Sequence, residues 1–188
     1  MATAAAISAN ATSLARYARD CQDADLTPIV EPEVLMDGSQ NIDRSADVTR
    51  ATLDAVFKAL DKAGVRLEGM LLKPNMVVPG AHSGQTQTPE QIADATLECL
   101  RSSVPPQVPG ILFLSGGQSP EVSTRNLSAI VRRAGAAPWR LSFSFGRALQ
   151  DEALAAWKGR SQNLEAAQSA FLRRAEILSE AVRAPSGR

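Results

Sequence analysis

The 188-residue sequence predicts an α/β fold whose strands run parallel. Segments with apolar residues at helical spacing alternate with short apolar segments that are bounded by proline or glycine, in the order α-β-α-β-α-β-α-β-α. The second observation is that a polar or charged residue ends or follows each predicted strand. These residues are Glu31, Lys73, Ser115 and Arg147. In parallel α/β folds that end of the sheet is where ligands bind.

The first half of the chain contains two predicted helices with a strand between them. Apolar residues at helical spacing predict a helix over about residues 4–23 and a second helix that stops at Gly64. The apolar residues that line the second helix are Val48, Leu53, Val56, Phe57 and Leu60. Residues 27–34 alternate with period two and predict a strand that carries Glu31 and Glu33 on one face.

The third helix has a well-marked beginning. Thr88 suits the N-cap, Pro89 suits the first helical position, and Gln91 completes a capping box. This helix is expected to run to about Ser102. A second short strand is predicted before it, over residues 70–73, and Pro74 ends that strand.

The remaining chain predicts two further β/α units. Strands are expected over residues 110–114 and 140–144. Ser119 and Pro120 mark a helix that ends near Ala134, and later helices are expected over the ranges 148–157 and 163–182. A (β/α)8 barrel typically needs about 250 residues. The pattern alone therefore leaves a small open-sheet protein and half of a barrel as alternatives.

Composition excludes several classes of function. The sequence has 20 basic residues (Lys plus Arg) and 20 acidic residues (Asp plus Glu). It therefore lacks the basic excess that would predict a nucleic-acid or anionic-membrane partner. Apolar stretches are too short for a transmembrane helix, and the N-terminus does not resemble a signal peptide. The two cysteines are expected to be reduced thiols of a cytoplasmic protein, and a single histidine excludes a histidine-rich zinc site.

Lys73 is the candidate nucleophile. It ends an apolar strand, where burial and cationic neighbours would lower the pKa of its amine and expose a reactive lone pair. The alternative is a lysine that extends its ammonium group to water at the strand end.

Glu31 and Glu33 are candidates for proton transfer. Period-two alternation directs both carboxylates to one face, where each would perturb the other's pKa. A structural ion pair with a lysine, without catalysis, is the alternative.

A phosphate site is predicted after the third and fourth strands. Gly116 and Gly117 would let backbone N–H groups approach an anion at a helix N-terminus, and Arg147 could donate two hydrogen bonds to it. Taken singly, the glycines could form an ordinary turn and Arg147 could be a solvated charge. Together they match the phosphate site common near the last strands of barrels.

These residues lie in motifs that resemble class I fructose-bisphosphate aldolase, and the resemblance covers about residues 7–187. The consecutive motifs are Ile29-Val30-Glu31-Pro32-Glu33, Leu71-Leu72-Lys73-Pro74-Asn75, Phe113-Leu114-Ser115-Gly116-Gly117-Gln118-Ser119 and Phe143-Ser144-Phe145-Gly146-Arg147-Ala148-Leu149. The resemblance implies that residues 1–188 form a single partial domain of about four β/α units, the C-terminal half of a TIM (β/α)8 barrel.

The resemblance also implies roles for individual residues. Lys73 would form a Schiff base with the ketone of fructose 1,6-bisphosphate or dihydroxyacetone phosphate, Glu31 would shuttle protons, and Glu33 would support the charge network. The residues expected to bind the sugar-phosphate substrate are Ser115, Gly116, Gly117, Ser144 and Arg147. No metal or organic cofactor is needed for this lyase chemistry of glycolysis and gluconeogenesis.

The family's first four strands, with an interior aspartate and further lysines, have no counterpart in the 188 residues. Activity of this chain alone is therefore expected to be impaired, and self-association is expected. Two alternatives are a noncatalytic half-barrel that serves as a binding or assembly module, and an unrelated α/β phosphate-binding protein.

Overall fold

The computed structural model describes residues 2–183, which form six α-helices and four short strands. In chain order the elements are α1 (Ala4–Asp23), β1 (Ile29–Val30), α2 (Ile42–Lys62), β2 (Leu71–Leu72), α3 (Pro89–Ser103), β3 (Gly110–Phe113), α4 (Pro120–Arg133), β4 (Arg140–Phe143), α5 (Arg147–Trp157) and α6 (Leu164–Ala181). Two 3₁₀ turns, Leu67–Gly69 and Ser161–Asn163, precede β2 and α6.

The four strands form one parallel sheet in the order β1-β2-β3-β4. Val30 pairs with Leu72, Leu72 pairs with Ile111, and Phe113 pairs with Phe143. Every strand thus lies beside the next strand along the chain, with a helix in each connection. The predicted α/β fold with parallel strands is confirmed.

The predicted strand over residues 27–34 was too long. Only Ile29–Val30 is strand, because Pro28 and Pro32 flank it and a proline has no N–H to donate to a ladder. Single ladder-type bonds continue past the strand ends. The Lys73 amide donates to the Val30 carbonyl at 2.7 Å, and the Ser144 amide donates to the Phe113 carbonyl at 2.9 Å.

The predicted start of the third helix is confirmed in detail. The Thr88 hydroxyl accepts from the Gln91 amide at 3.3 Å, and the Gln91 side chain accepts from the Thr88 amide at 2.9 Å. This reciprocal capping box satisfies two backbone donors at the start of α3. At the other end of the chain, α6 begins at Leu164, one residue later than predicted, because a 3₁₀ turn occupies Ser161–Asn163.

The core lies between one face of the sheet and a row of helices. Val30 and Ile111 are fully buried under the helices, whereas Ile29 is 40% exposed on the opposite face. Leu71 is only partly buried on that same opposite face. The helices therefore cover one face of the sheet, and by alternation Glu31 and Lys73 extend from the less covered face. Within residues 2–183, no helix combines the length and apolar character that a bilayer crossing would require.

Candidate active site

Lys73 and Glu31 meet at the carboxyl ends of β2 and β1. The Lys73 Nζ lies 3.0 Å from Glu31 Oε1, and the side chains are 19% and 44% exposed. The backbone bond from the Lys73 amide to the Val30 carbonyl fixes the two strand ends beside each other. A proton can pass directly between an amine and a carboxylate at this distance.

Lys73 differs from the other lysines of the sequence in its surroundings. The chain has four lysines, and Lys58, Lys62 and Lys158 are exposed on helices or their ends. Lys73 alone among the four is partly buried. The predicted nucleophile is therefore the lysine most shielded from water.

Glu33 lies two residues beyond Glu31 in the segment after β1, and its side chain is exposed. Both carboxylates line a groove of about 1000 Å³ that runs between this segment, α1 and α2. Lys73 forms its ion pair with Glu31. Glu33 thus lies near the pair without contacting the Lys73 amine.

Asn75 holds the segments after β1 and β2 together, and sequence reasoning did not single it out. Its side-chain oxygen accepts from the Val34 amide at 3.0 Å. Its side-chain nitrogen donates to the Thr49 hydroxyl at 3.3 Å and to the Met76 carbonyl at 3.1 Å. Asn75 is 8% exposed, so these bonds form in a site shielded from water. The available signal was an amide side chain immediately after the Lys73-Pro74 pair, where a surface loop would be expected.

The predicted glycine turn follows β3. Gly116 and Gly117 adopt φ values of 59° and 85°, in the left-handed region that favours glycine. The carbonyl of Ser115, which is buried, accepts from both the backbone amide and the side chain of Gln118. Ser119 then caps α4 by accepting from the Val122 amide at 3.3 Å. Gln118 was not predicted as a site residue, although it lies in the same motif.

Arg147 reaches the glycine turn from the start of α5. A Cβ added to Gly117 would lie 3.5 Å from Arg147 Nη2, so the guanidinium sits directly beside the Gly117 backbone. Arg147 is exposed, and α5 begins after Gly146 without a side-chain cap. Ser144 is half-buried at the end of β4, where its amide bonds to Phe113. We call the Gly116-Gly117 turn, the start of α4 and the Arg147 guanidinium the cationic cradle, because this arrangement suits an anion.

The two groups of predicted residues are neighbours. Met36, three residues after Glu33, has its Sδ 3.8 Å from the same Gly117 Cβ position. The segment that follows β1 therefore extends from the Lys73–Glu31 pair to the glycine turn.

Glu121 adds a carboxylate to the first turn of α4. Hydrogen bonds from its own backbone amide and from the Ser119 hydroxyl hold the pKa of Glu121 below its usual range. The ionised carboxylate is attracted to the positive N-terminal end of α4, but its negative charge also reduces the positive potential beside the glycine turn. Within residues 2–183, no three His, Cys, Asp or Glu side chains are grouped so as to hold a metal ion.

Residues 1–185 match the sequence family described as glycolytic class-I fructose-bisphosphate aldolase. The chain belongs to that family. It is 54% identical over 176 residues to fructose-bisphosphate aldolase 4, cytosolic, of Arabidopsis thaliana, which covers 94% of this chain and 45% of the relative. It is also 54% identical over 175 residues to fructose-bisphosphate aldolase C of Pan troglodytes, covering 93% of this chain and 48% of that one.

A solved structure supports the same fold. The fructose-bisphosphate aldolase of Plasmodium falciparum, crystallised with TRAP and a small-molecule inhibitor, superposes with a TM-score of 0.93 at 46% identity. The match covers 98% of this chain and 54% of the Plasmodium chain. The prediction that the four parallel β/α units are part of a TIM barrel is confirmed. The chain spans about half the length of the curated relatives it matches.

Proposed function

We propose that this chain carries the Schiff-base half of a class I fructose-bisphosphate aldolase site. The reaction is the reversible cleavage of fructose 1,6-bisphosphate to dihydroxyacetone phosphate and glyceraldehyde 3-phosphate, in glycolysis and gluconeogenesis. The observation that carries the proposal is the 3.0 Å separation of Lys73 Nζ and Glu31 Oε1 at the ligand-binding end of a parallel sheet.

In this proposal Lys73 is the nucleophile and Glu31 transfers protons. The Lys73 ammonium gives a proton to Glu31, and the free amine adds to the ketone carbon of the substrate. Glu31 returns the proton to the departing hydroxyl, so water leaves and a protonated imine remains. The C4 hydroxyl then gives its proton to Glu31, the C3–C4 bond breaks, and the protonated imine accepts its electron pair as an enamine while the aldehyde product departs. Protonation of the resulting enamine and addition of water release dihydroxyacetone phosphate and restore the Lys73 amine.

The cationic cradle of Gly117 and Arg147 binds a phosphate of the sugar in this proposal, with Ser115, Gly116 and Ser144 completing the contact. Backbone amides at glycines with positive φ approach an anion without steric hindrance, and a guanidinium donates charge-assisted hydrogen bonds. Glu33 contributes negative charge near the Lys73–Glu31 pair. No metal or organic cofactor takes part.

We further infer that residues 1–188 act as one partial domain and that the chain self-associates. The less covered sheet face, where Ile29 is 40% exposed, presents apolar surface that another protein surface would bury. A cytoplasmic location is supported by the relatives from Arabidopsis thaliana and Spinacia oleracea that are named cytosolic or cytoplasmic.

Borohydride trapping tests the proposed nucleophile. The 188-residue chain is incubated with dihydroxyacetone phosphate, reduced with borohydride and digested for mass spectrometry. We expect the adduct mass on Lys73, and none on the exposed Lys58, Lys62 or Lys158. Lys73→Arg keeps the charge and should abolish the adduct. An adduct on another lysine of the wild type, or an undiminished adduct in Lys73→Arg, would show that the assignment is wrong.

The second candidate is a noncatalytic half-barrel that binds sugar phosphates or serves in assembly. The observation that favours it is that the chain spans about half the length of its relatives. Phosphate-ester binding that depends on Arg147, with no trapped adduct at any lysine, would support this candidate over the enzyme.

A further inference from the structure

Arg174 is a buried charge that the proposed chemistry does not use. It lies on α6 and is 4% exposed. Its Nη2 donates to the Pro120 carbonyl and to the Thr124 hydroxyl, both at 2.6 Å. Its Nε donates to the Ala148 carbonyl at 3.3 Å. A buried guanidinium is costly unless its donors are satisfied, so these contacts indicate a specific role for the side chain.

The three acceptors lie in the first turns of two different helices. Pro120 and Thr124 belong to the start of α4, which directly follows the glycine turn. Ala148 is the second residue of α5 and is adjacent to Arg147. One planar guanidinium group therefore joins the two helix starts that carry the two sides of the cationic cradle.

An ordinary ion pair does not account for this arrangement. Its ion-pair partner, Oε1 of Glu152, is 3.9 Å from Arg174 Nε, beyond hydrogen-bond distance. The Arg174 charge acts on Glu121 only as a smaller addition to the backbone and Ser119 hydrogen bonds that lower the pKa of that carboxyl. The short hydrogen bonds of Arg174 all go to neutral oxygens at the helix starts. Its geometry thus fixes backbone positions, and its positive charge remains near both helix N-termini.

We propose that Arg174 is a positioning residue that sets the separation between the glycine turn and Arg147, so that both contact the same phosphate group. This inference rests on the proposed phosphate site at Gly117 and Arg147. In this proposal Arg174 acts through the starts of α4 and α5, to which it is hydrogen-bonded, and not by contact with the phosphate.

Inorganic phosphate is the probe for the test. The 188-residue chain is titrated at a temperature where each variant is folded, and the amide resonances of Gly116 and Gly117 report the Kd. Arg174→Met should raise the Kd about threefold to tenfold, the change expected from the loss of about one hydrogen bond. Arg174→Lys should recover only part of this loss, because a single ammonium nitrogen replaces the separate Nε and Nη2 donors that reach the two helix starts.

Thr124→Val provides a milder variant if Arg174→Met does not fold. It removes a hydroxyl acceptor of Arg174 with almost no change of shape, and a smaller rise in Kd is expected. Thr12→Val is the matched control, because the Thr12 hydroxyl donates to the Ser8 carbonyl within α1 as the Thr124 hydroxyl donates to the Pro120 carbonyl within α4, and α1 is not part of the cradle. Leu178→Ala is the stability control, because it creates a cavity under the same helix without touching the guanidinium.

The outcomes separate this inference from the function it rests on. An increased Kd in Arg174→Met and Thr124→Val, with both controls unchanged, supports the inference. An unchanged Kd in the Arg174 and Thr124 variants, while Arg147→Ala weakens binding, overturns the positioning role and leaves the phosphate site standing. An equal rise in Leu178→Ala also overturns the positioning role, since general loosening would then suffice. If phosphate does not perturb Gly116 or Gly117 in the wild type, both proposals are wrong.

Discussion

Lys73 Nζ and Glu31 Oε1 are 3.0 Å apart, although the two residues end different strands and are separated by the whole of α2. Glu31 is 44% exposed, and ion pairs this open to solvent contribute about 0–1 kcal/mol to stability. So small a contribution gives the pair little structural weight, and the proposed function assigns it proton transfer instead.

Replacement of Glu31 separates stability from chemistry. Glu31→Gln keeps the shape of the side chain but removes the proton acceptor, so trapping of dihydroxyacetone phosphate on Lys73 should slow markedly. The free energy of unfolding should change by no more than about 1 kcal/mol. Urea denaturation and the rate of adduct formation measure the two effects. Glu98→Gln, at an exposed carboxylate on α3, is the control and should alter neither. If the free energy of unfolding instead fell by several kcal/mol, Glu31 would be a structural residue.

Asn75 should matter for both stability and alignment of the pair. Asn75→Ala leaves the Val34 amide and the Thr49 hydroxyl without their partner in a buried site, which should destabilise the fold by about 1–3 kcal/mol. The segment that carries Glu31 should then loosen, and adduct formation on Lys73 should slow. Asn163→Ala removes an exposed hydrogen bond from the Asn163 side-chain amide to the Trp157 carbonyl and should reduce stability far less. Equal losses of stability in the two variants would contradict the assigned role of Asn75.

Arg147→Ala should weaken binding of dihydroxyacetone phosphate by about 1.5–3 kcal/mol, the scale of a hydrogen bond to a charged group. Isothermal titration calorimetry measures this directly. Arg132→Ala is the control, because Arg132 is an exposed arginine that bonds within α4. The claim fails if wild type, Arg147→Ala and Arg132→Ala bind the ester with equal affinity.

We expect Glu121 to make the stability of the fold depend on pH in the acidic range. Its folded-state pKa lies below the usual value, so the contribution is fully present above the unfolded-state pKa and is lost as pH falls through the folded-state pKa. Ser119→Ala removes one of the stabilising hydrogen bonds and should raise the pKa of Glu121. Carbon-13 NMR titration of the Glu121 carboxyl in both proteins tests this. An identical midpoint in wild type and variant would mean that the hydroxyl has no influence.

The 188-residue chain alone should self-associate and show little or no cleavage of fructose 1,6-bisphosphate. Ile29 and Leu71 lie on the less covered sheet face, where contact with another surface would remove apolar area from water. The chain also spans about half the length of its relatives. Sedimentation velocity and a coupled triose-phosphate assay test both expectations. A monodisperse monomer with aldolase-like turnover would refute both.

Local patterns in the sequence were sufficient to predict most of the helices. The capping box of Thr88 and Gln91 depends on residues three positions apart, and it forms as predicted. Strand lengths were harder, because the limits of β1 depend on which backbone groups find a partner on β2. The proline at position 32 interrupts that ladder, although the period-two pattern continues through it.

The main residues of the candidate site were predicted from the sequence, but the residues that hold them in position, Asn75 and Arg174, were not. Lys73 was recognisable because a lysine at the end of an apolar strand is unusual, and Glu31 because period-two alternation placed it on one face with Glu33. Arg174 was not recognisable, because Arg173 and Arg174 lie in one helix and only the tertiary packing makes Arg174 buried while Arg173 stays exposed. Asn75 was hidden for the same reason, since its partners Val34 and Thr49 are distant in sequence.

The sheet order β1-β2-β3-β4 has a consequence for how the molecule is made. Strands β2, β3 and β4 each pair with the strand synthesised immediately before them, so none of these three must wait for a distant segment to leave the ribosome. Loop closure between neighbouring units is also less demanding than pairing across the whole chain. The Lys73–Glu31 pair spans only the first two units, and the cradle only the last two. Each part of the site can therefore be assembled during translation, the lysine and its carboxylate first.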